Sequence, residues 1–117
     1  MTIGECIAIT DRLKPNAYNE ADKVKWLSTL DSQISKVLLK SDEIYSYDFG
    51  TDSGGSLLAA SPFDNIYPLY LYAMIDYYNQ ELSLYNISIK MFDEAFLIYK
   101  KYVSETIGKR SKFINYW

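Results

Sequence analysis

Thr51-Asp52-Ser53-Gly54-Gly55-Ser56 is the stretch of this 117-residue chain that most resembles chemistry, because an Asp-Ser-Gly-Gly order is met around nucleophilic serines. A serine hydroxyl needs a base, however, and the chain has no histidine. The same absence rules out histidine acid-base catalysis, His-containing triads and ordinary zinc sites. Asp48, Asp52 and the nearby serines lack the spacing and closing glutamate of a calcium loop, so they read as turn formers. Asn86-Ile87-Ser88 fits a glycosylation sequon but falls in a predicted helix. Asp76, enclosed by apolar residues, needs a partner if ionised, and no second catalytic group accompanies it. It is expected to bond backbone or side chains at a helix join, with Asn79 and Glu81, or across a subunit boundary. The expectation is therefore no enzyme, with no catalytic, cofactor-binding or metal-ligating residue and no cofactor.

Any such group would have to be held by helices. Thr2-Ile3-Gly4-Glu5 has capping-box spacing, with Glu5 expected to return to the cap amide, and Pro15 ends the helix it starts. Asn19-Glu20-Ala21-Asp22 caps a second helix over residues 19–39, in which Trp26, Leu27, Leu30, Ile34, Val37 and Leu38 recur at helical spacing. Ser61-Pro62-Phe63-Asp64 marks a third start, with a kink expected near Tyr67 because Pro68 has no N–H to donate. Its residues 69–78 have almost no polar face, which predicts burial on more than one side, more than a lone small domain easily supplies.

The last helix is expected over residues 83–106, ended by Gly108. Leu84, Ile87, Met91, Ala95, Ile98 and Tyr102 form one stripe, flanked by Tyr85, Phe92, Phe96, Tyr99 and Val103. The short join predicts a long antiparallel helical hairpin over 62–106. The fold class is thus all-α, a small bundle of about four helices forming a single domain over residues 1–108.

Two segments stand outside that bundle. Over 41–60 the helical period is lost, and Tyr45, Tyr47 and Phe49 alternate with polar residues before a glycine-rich turn, with Leu57 and Leu58 following. This is expected to be an extended hairpin arm or a long loop inserted in the domain. Residues 109–117 form a tail in which Lys109, Arg110 and Lys112 precede Phe113, Tyr116 and Trp117. An unanchored tail is normally polar, so this one is expected to dock. With Tyr70 and Tyr72 of the apolar helix, these residues make up the expected interface.

The net charge of −3 is unevenly spread. Residues 100–117 carry +4 and residues 41–99 carry −8, so copies laid head to tail attract one another. Twelve tyrosines suit either an aromatic core or half-wet contacts. The apolar run at 66–78 is too short for a membrane span and contains Pro68 and Asp76. A lone cysteine, Cys6, and no secretory pattern point to a reducing cytoplasm.

Pro62-Phe63-Asp64 through Tyr67, then Ile75-Asp76, Asn79, Glu81, Tyr85-Asn86, Ser88, Phe92, Ala95, Phe96 and Tyr102, resemble small prophage proteins of Gram-positive bacteria. These are the head-to-tail connector, or neck adaptor, proteins of tailed bacteriophages. Met1-Thr2-Ile3 through Cys6-Ile7, Leu13-Lys14-Pro15-Asn16 and Lys25-Trp26-Leu27-Ser28-Thr29-Leu30-Asp31 are similar to that family's N-terminal half. The resemblance covers nearly the whole chain and thins out between Ser41 and Ala60. Pro68 and the Gly50–Ser56 segment depart from the pattern.

The resemblance implies a helical, non-enzymatic virion protein, made in the host cytoplasm and located in the virion neck. It implies a homo-oligomeric ring beneath the portal protein, contacts with downstream neck or tail proteins, phage DNA passing only through the channel, and no membrane. The alternative is a non-viral helical adaptor or regulator acting as a homodimer. A nucleic-acid binder would rest on Lys109, Arg110 and Lys112 alone and is opposed by the acidic total.

Overall fold

Thr2 accepts the Glu5 amide at 3.1 Å and starts helix α1 (Ile3–Leu13). The return arm differs from the expected capping box: the Glu5 carboxylate accepts from the Thr2 hydroxyl at 3.2 Å, not from the cap amide. The amides of Ile3 and Gly4, orphaned at the helix start, donate instead to the carbonyls of Gly55 and Ser53. Gly4 permits this approach, since a Cβ there would meet the Ser53 oxygen at 3.0 Å. The structure, a computed structural model, describes the backbone of residues 1–115 and their side chains other than those of Phe49 and 107–115.

Asn19 accepts the Asp22 amide at 2.8 Å and opens α2 (Glu20–Gln33), which runs on into one π-helical turn, Ile34–Leu38. There the Leu39 amide reaches five residues back to Ile34, and Lys40, at φ 54°, turns the chain away. A four-residue helix α3 (Phe49–Asp52) follows, then α4 (Ile66–Tyr78) and α5 (Leu82–Asn115). Among the described residues there is no strand, only an isolated antiparallel bridge between Thr2 and Ser56. The chain is mostly helical, as its patterning implies.

Three features differ from the sequence reading. α4 starts at Ile66, not at Pro62, because residues 61–65 form turns and the Asp64 carboxylate is held 3.1 Å from the Met1 ammonium. Pro68 therefore falls in the first helical turn, where its missing N–H is one that no helix uses, so the expected kink is replaced by a fresh start. α5 does not end before Gly108; its backbone stays helical to Asn115. A glycine inside a helix costs only about 1 kcal/mol, and the residues after it include no proline.

α4 occupies the centre, packed between α1 and α2 on one side and α5 on the other. Ile66, Tyr67, Leu71, Ala73 and Ile75 are fully or almost fully buried. A single chain thus supplies the many-sided cover that this apolar helix demands. It does so by wrapping α1, α2, α5 and the 53–59 segment around it, with Leu57 and Ala59 entering the core. α5 folds back along α4, as the pairs Asp76–Ser88, Tyr70–Phe92 and Phe63–Tyr99 trace in opposite chain directions. Gln80, at φ 60°, makes the turn between them, and the Glu81 amide returns to the Asp76 carbonyl at 3.0 Å.

Candidate interaction surface

The acids that invite a chemical reading are occupied with structure. Asp48 accepts the Gly50 amide at 2.8 Å and Asp52 accepts the Asp48 amide at 2.7 Å, so both acids shape the turn around α3. Ser53 takes part through its backbone carbonyl, which receives the Gly4 amide. Among the described residues no group of three metal-ligating side chains occurs. Cys6 is fully buried, and desolvation pushes its thiol up to about 12, so it is a packing residue and not a reactive thiol.

Asp76 is buried and fully bonded within the chain. Lys14 Nζ lies 2.6 Å from both carboxylate oxygens, and the Ser88 hydroxyl donates to Oδ2 at 2.5 Å. These bonds join the end of α1, α4 and α5 at one point. Asn79 takes the Tyr18 hydroxyl at 2.8 Å, while Glu81 contributes its backbone. A second inward-turned lysine, Lys23, donates to Asp11 at 2.5 Å and ties α2 to α1.

Asp31 is a junction that sequence reasoning passed over. It is completely buried, and no salt bridge to it occurs among the described residues. It accepts instead from the hydroxyls of Tyr47 and Tyr67, each at 2.6 Å, and from the Leu58 amide at 3.2 Å. Burial raises its pKa above the usual carboxylate value, and the hydrogen bonds oppose that rise. The available signal was its place among Leu27, Leu30 and Ile34, on the apolar face of α2.

Of the expected arm at 41–60, residues 45–47 form a strap laid along the protomer's own α2. Ser28 and Ser32, one helical turn apart, receive the amides of Tyr47 and Tyr45, each at 2.9 Å. The match is geometric: four helical residues rise about 6 Å, close to the advance of two extended ones. Leu57 is in the core, and Leu58, Tyr45 and Tyr47 are half-buried against the body. Tyr70 packs on Phe92, and Tyr72 lies under Lys14 Nζ, 5.8 Å from its ring centre. The side chains of Phe49, Lys109, Arg110, Lys112, Phe113, Tyr116 and Trp117 lie outside the described residues.

Ile44, next to the strap, is exposed, as are Leu13, Val37 and Leu39, but a longer run of exposed apolar residues lies on α5. On α5 the two sets of apolar residues meet different surroundings. The flanking residues Phe92, Tyr99 and Val103 are buried toward α4, with Tyr85 and Phe96 half-buried beside them. The central stripe faces outward: Leu84, Ile87, Met91, Ile98 and Tyr102 are 46–61% exposed. The buried set lies on the side that meets α4, and one neighbouring helix covers one face. At the other end of α4, Trp26 stacks on Tyr78 with centroids 5.3 Å apart and Tyr18 meets Trp26 edge-on, an aromatic cluster open to solvent at Tyr77 and Tyr78.

Among the described residues no helix is long and apolar enough to cross a membrane. Comparison of the chain with protein-family models, with characterised proteins and with solved structures finds no match.

Proposed function

We propose that this chain is a non-enzymatic assembly protein that acts by docking on other protein surfaces, and that it is a head-to-tail connector of a tailed bacteriophage. In this reading it is made in the host cytoplasm and joins the virion neck as a ring beneath the portal. It extends the DNA channel toward the downstream neck or tail proteins, and it uses no cofactor. The observation that carries the docking role is the apolar outer face of α5, which its own chain leaves about half exposed. The neck assignment is drawn from the family resemblance set out above.

The paired α4 and α5 form the rigid unit of this scheme, with Lys109, Arg110 and Lys112 steering the end of α5 toward acidic surface and the aromatic residues after them anchoring it. Negative-stain microscopy of the cognate portal mixed with a micromolar excess of this protein is the test. The expected result is added ring density on the portal's tail-facing side. A portal left bare by folded protein overturns the neck assignment. A second reading, a non-viral adaptor acting as a homodimer, is favoured by the opposite charge of the two ends of α5.

A further inference from the structure

We propose that the free chain pairs with a second copy through the outer faces of α5, antiparallel about a two-fold axis near Glu94 and Ala95. Met91 then packs on the partner's Ile98, and Ile87 on the partner's Tyr102.

Leu84, Ile87, Met91, Ile98 and Tyr102 lie along one side of a helix, about 27 Å from first to last, with Ala95 between Met91 and Ile98 and the Tyr102 ring also stacked on Phe63. At their exposures they present roughly 500 Å² per copy, so two copies together bury on the order of 1,000 Å², near the lower bound for a specific interface. The stripe is self-complementary in the antiparallel sense, because Ile87 and Met91 precede the axis by the same steps as Tyr102 and Ile98 follow it.

Charge decides the direction. The second part of α5, from Lys100 onward, carries +4, whereas Glu81, Lys90, Asp93 and Glu94 leave the first part and its entry acidic. Antiparallel pairing opposes these halves and also opposes the two helix dipoles; parallel pairing sets +4 beside +4. At the axis the two Glu94 carboxylates meet as like charges. Lys90 and Lys101 of the opposite copy lie on either side of them, each within about 9 Å along the axis and so within reach of a lysine side chain.

A two-fold contact closes on itself and cannot by itself build a ring. It therefore describes the protein before assembly, and a connector would have to exchange this contact for those it makes on the portal. The inference does not rest on the neck assignment.

Sedimentation of the full chain tests it. A dimer is expected at micromolar concentration, and both Met91→Glu and Ile98→Glu are expected to shift it to monomer with unchanged helical circular dichroism. A short bis-maleimide supplies the geometry. Glu94→Cys should cross-link to its own counterpart in high yield. Leu84→Cys should not, since its counterparts lie about 30 Å apart. Buried Cys6 is not expected to react. A monomer at every concentration, a Met91→Glu protein that remains dimeric, or efficient cross-linking at Leu84 would overturn the proposal. A portal that binds or refuses the protein leaves this result untouched, so the two readings fail separately.

Discussion

The Tyr67 hydroxyl donates to Asp31 Oδ1 at 2.6 Å and accepts the Ala59 amide at 2.7 Å, in full burial. One phenol thus joins α2, α4 and the segment that closes the core over them. Tyr67→Phe removes it with almost no change of volume, leaving a buried amide unpaired and a buried carboxylate one donor short. Each such loss costs about 1–3 kcal/mol, so the variant is expected to lose about 3 kcal/mol in urea unfolding. A loss below 1 kcal/mol would mean that water replaces the hydroxyl.

Asp31 makes stability depend on pH. Its folded pKa is raised, mainly by desolvation, so as pH increases the unfolded chain releases this proton first. Between the unfolded value, about 3.9, and the raised folded value the native state binds more protons, and the Asp31 contribution falls as pH rises. Relative to Asp31→Asn, the native protein is expected to gain stability as pH is lowered through that window, and to show no change in the difference above it. Denaturant midpoints of the two proteins, measured in parallel from neutral pH to pH 4, check the sign.

Asp76 ties together α1, α4 and α5 through Lys14 and Ser88. Asp76→Ala strands Lys14 and the Ser88 hydroxyl where α1, α4 and α5 meet. Full burial of a broken ion pair would cost about 3–5 kcal/mol, but Lys14 is 27% exposed, so about 2–3 kcal/mol is expected. Thermal unfolding of Asp76→Ala and of the double variant Lys14→Met, Asp76→Ala separates the two effects: the second is expected to recover part of the loss.

Gln80 holds a left-handed conformation that a side chain disfavours. Gln80→Gly is expected to stabilise the protein by about 0.5–1 kcal/mol, through relief at the turn between α4 and α5. Destabilisation in chemical unfolding would show that the Gln80 side chain makes contacts that outweigh the strain.

Local chemistry was legible in the sequence wherever neighbours in the chain decide it. Thr2 and Asn19 cap helices because each oxygen reaches an amide three residues on, and the lack of imidazole limits the chemistry whatever the fold. Tertiary packing decided what spacing leaves open. α5 carries apolar residues on two faces, and only the position of α4 determines that Phe92 and Tyr99 enter the core while Met91 and Ile98 face outward. Asp31 and Lys23 read as ordinary polar residues of a helix until Tyr67 and Asp11, distant in sequence, come within hydrogen-bonding distance. The strap of residues 45–47 pairs with no strand among the described residues, and it is the helical spacing of Ser28 and Ser32 that satisfies the amides of Tyr45 and Tyr47. Each of these outcomes depends on which surface arrives opposite a residue, and no periodicity within one segment encodes that.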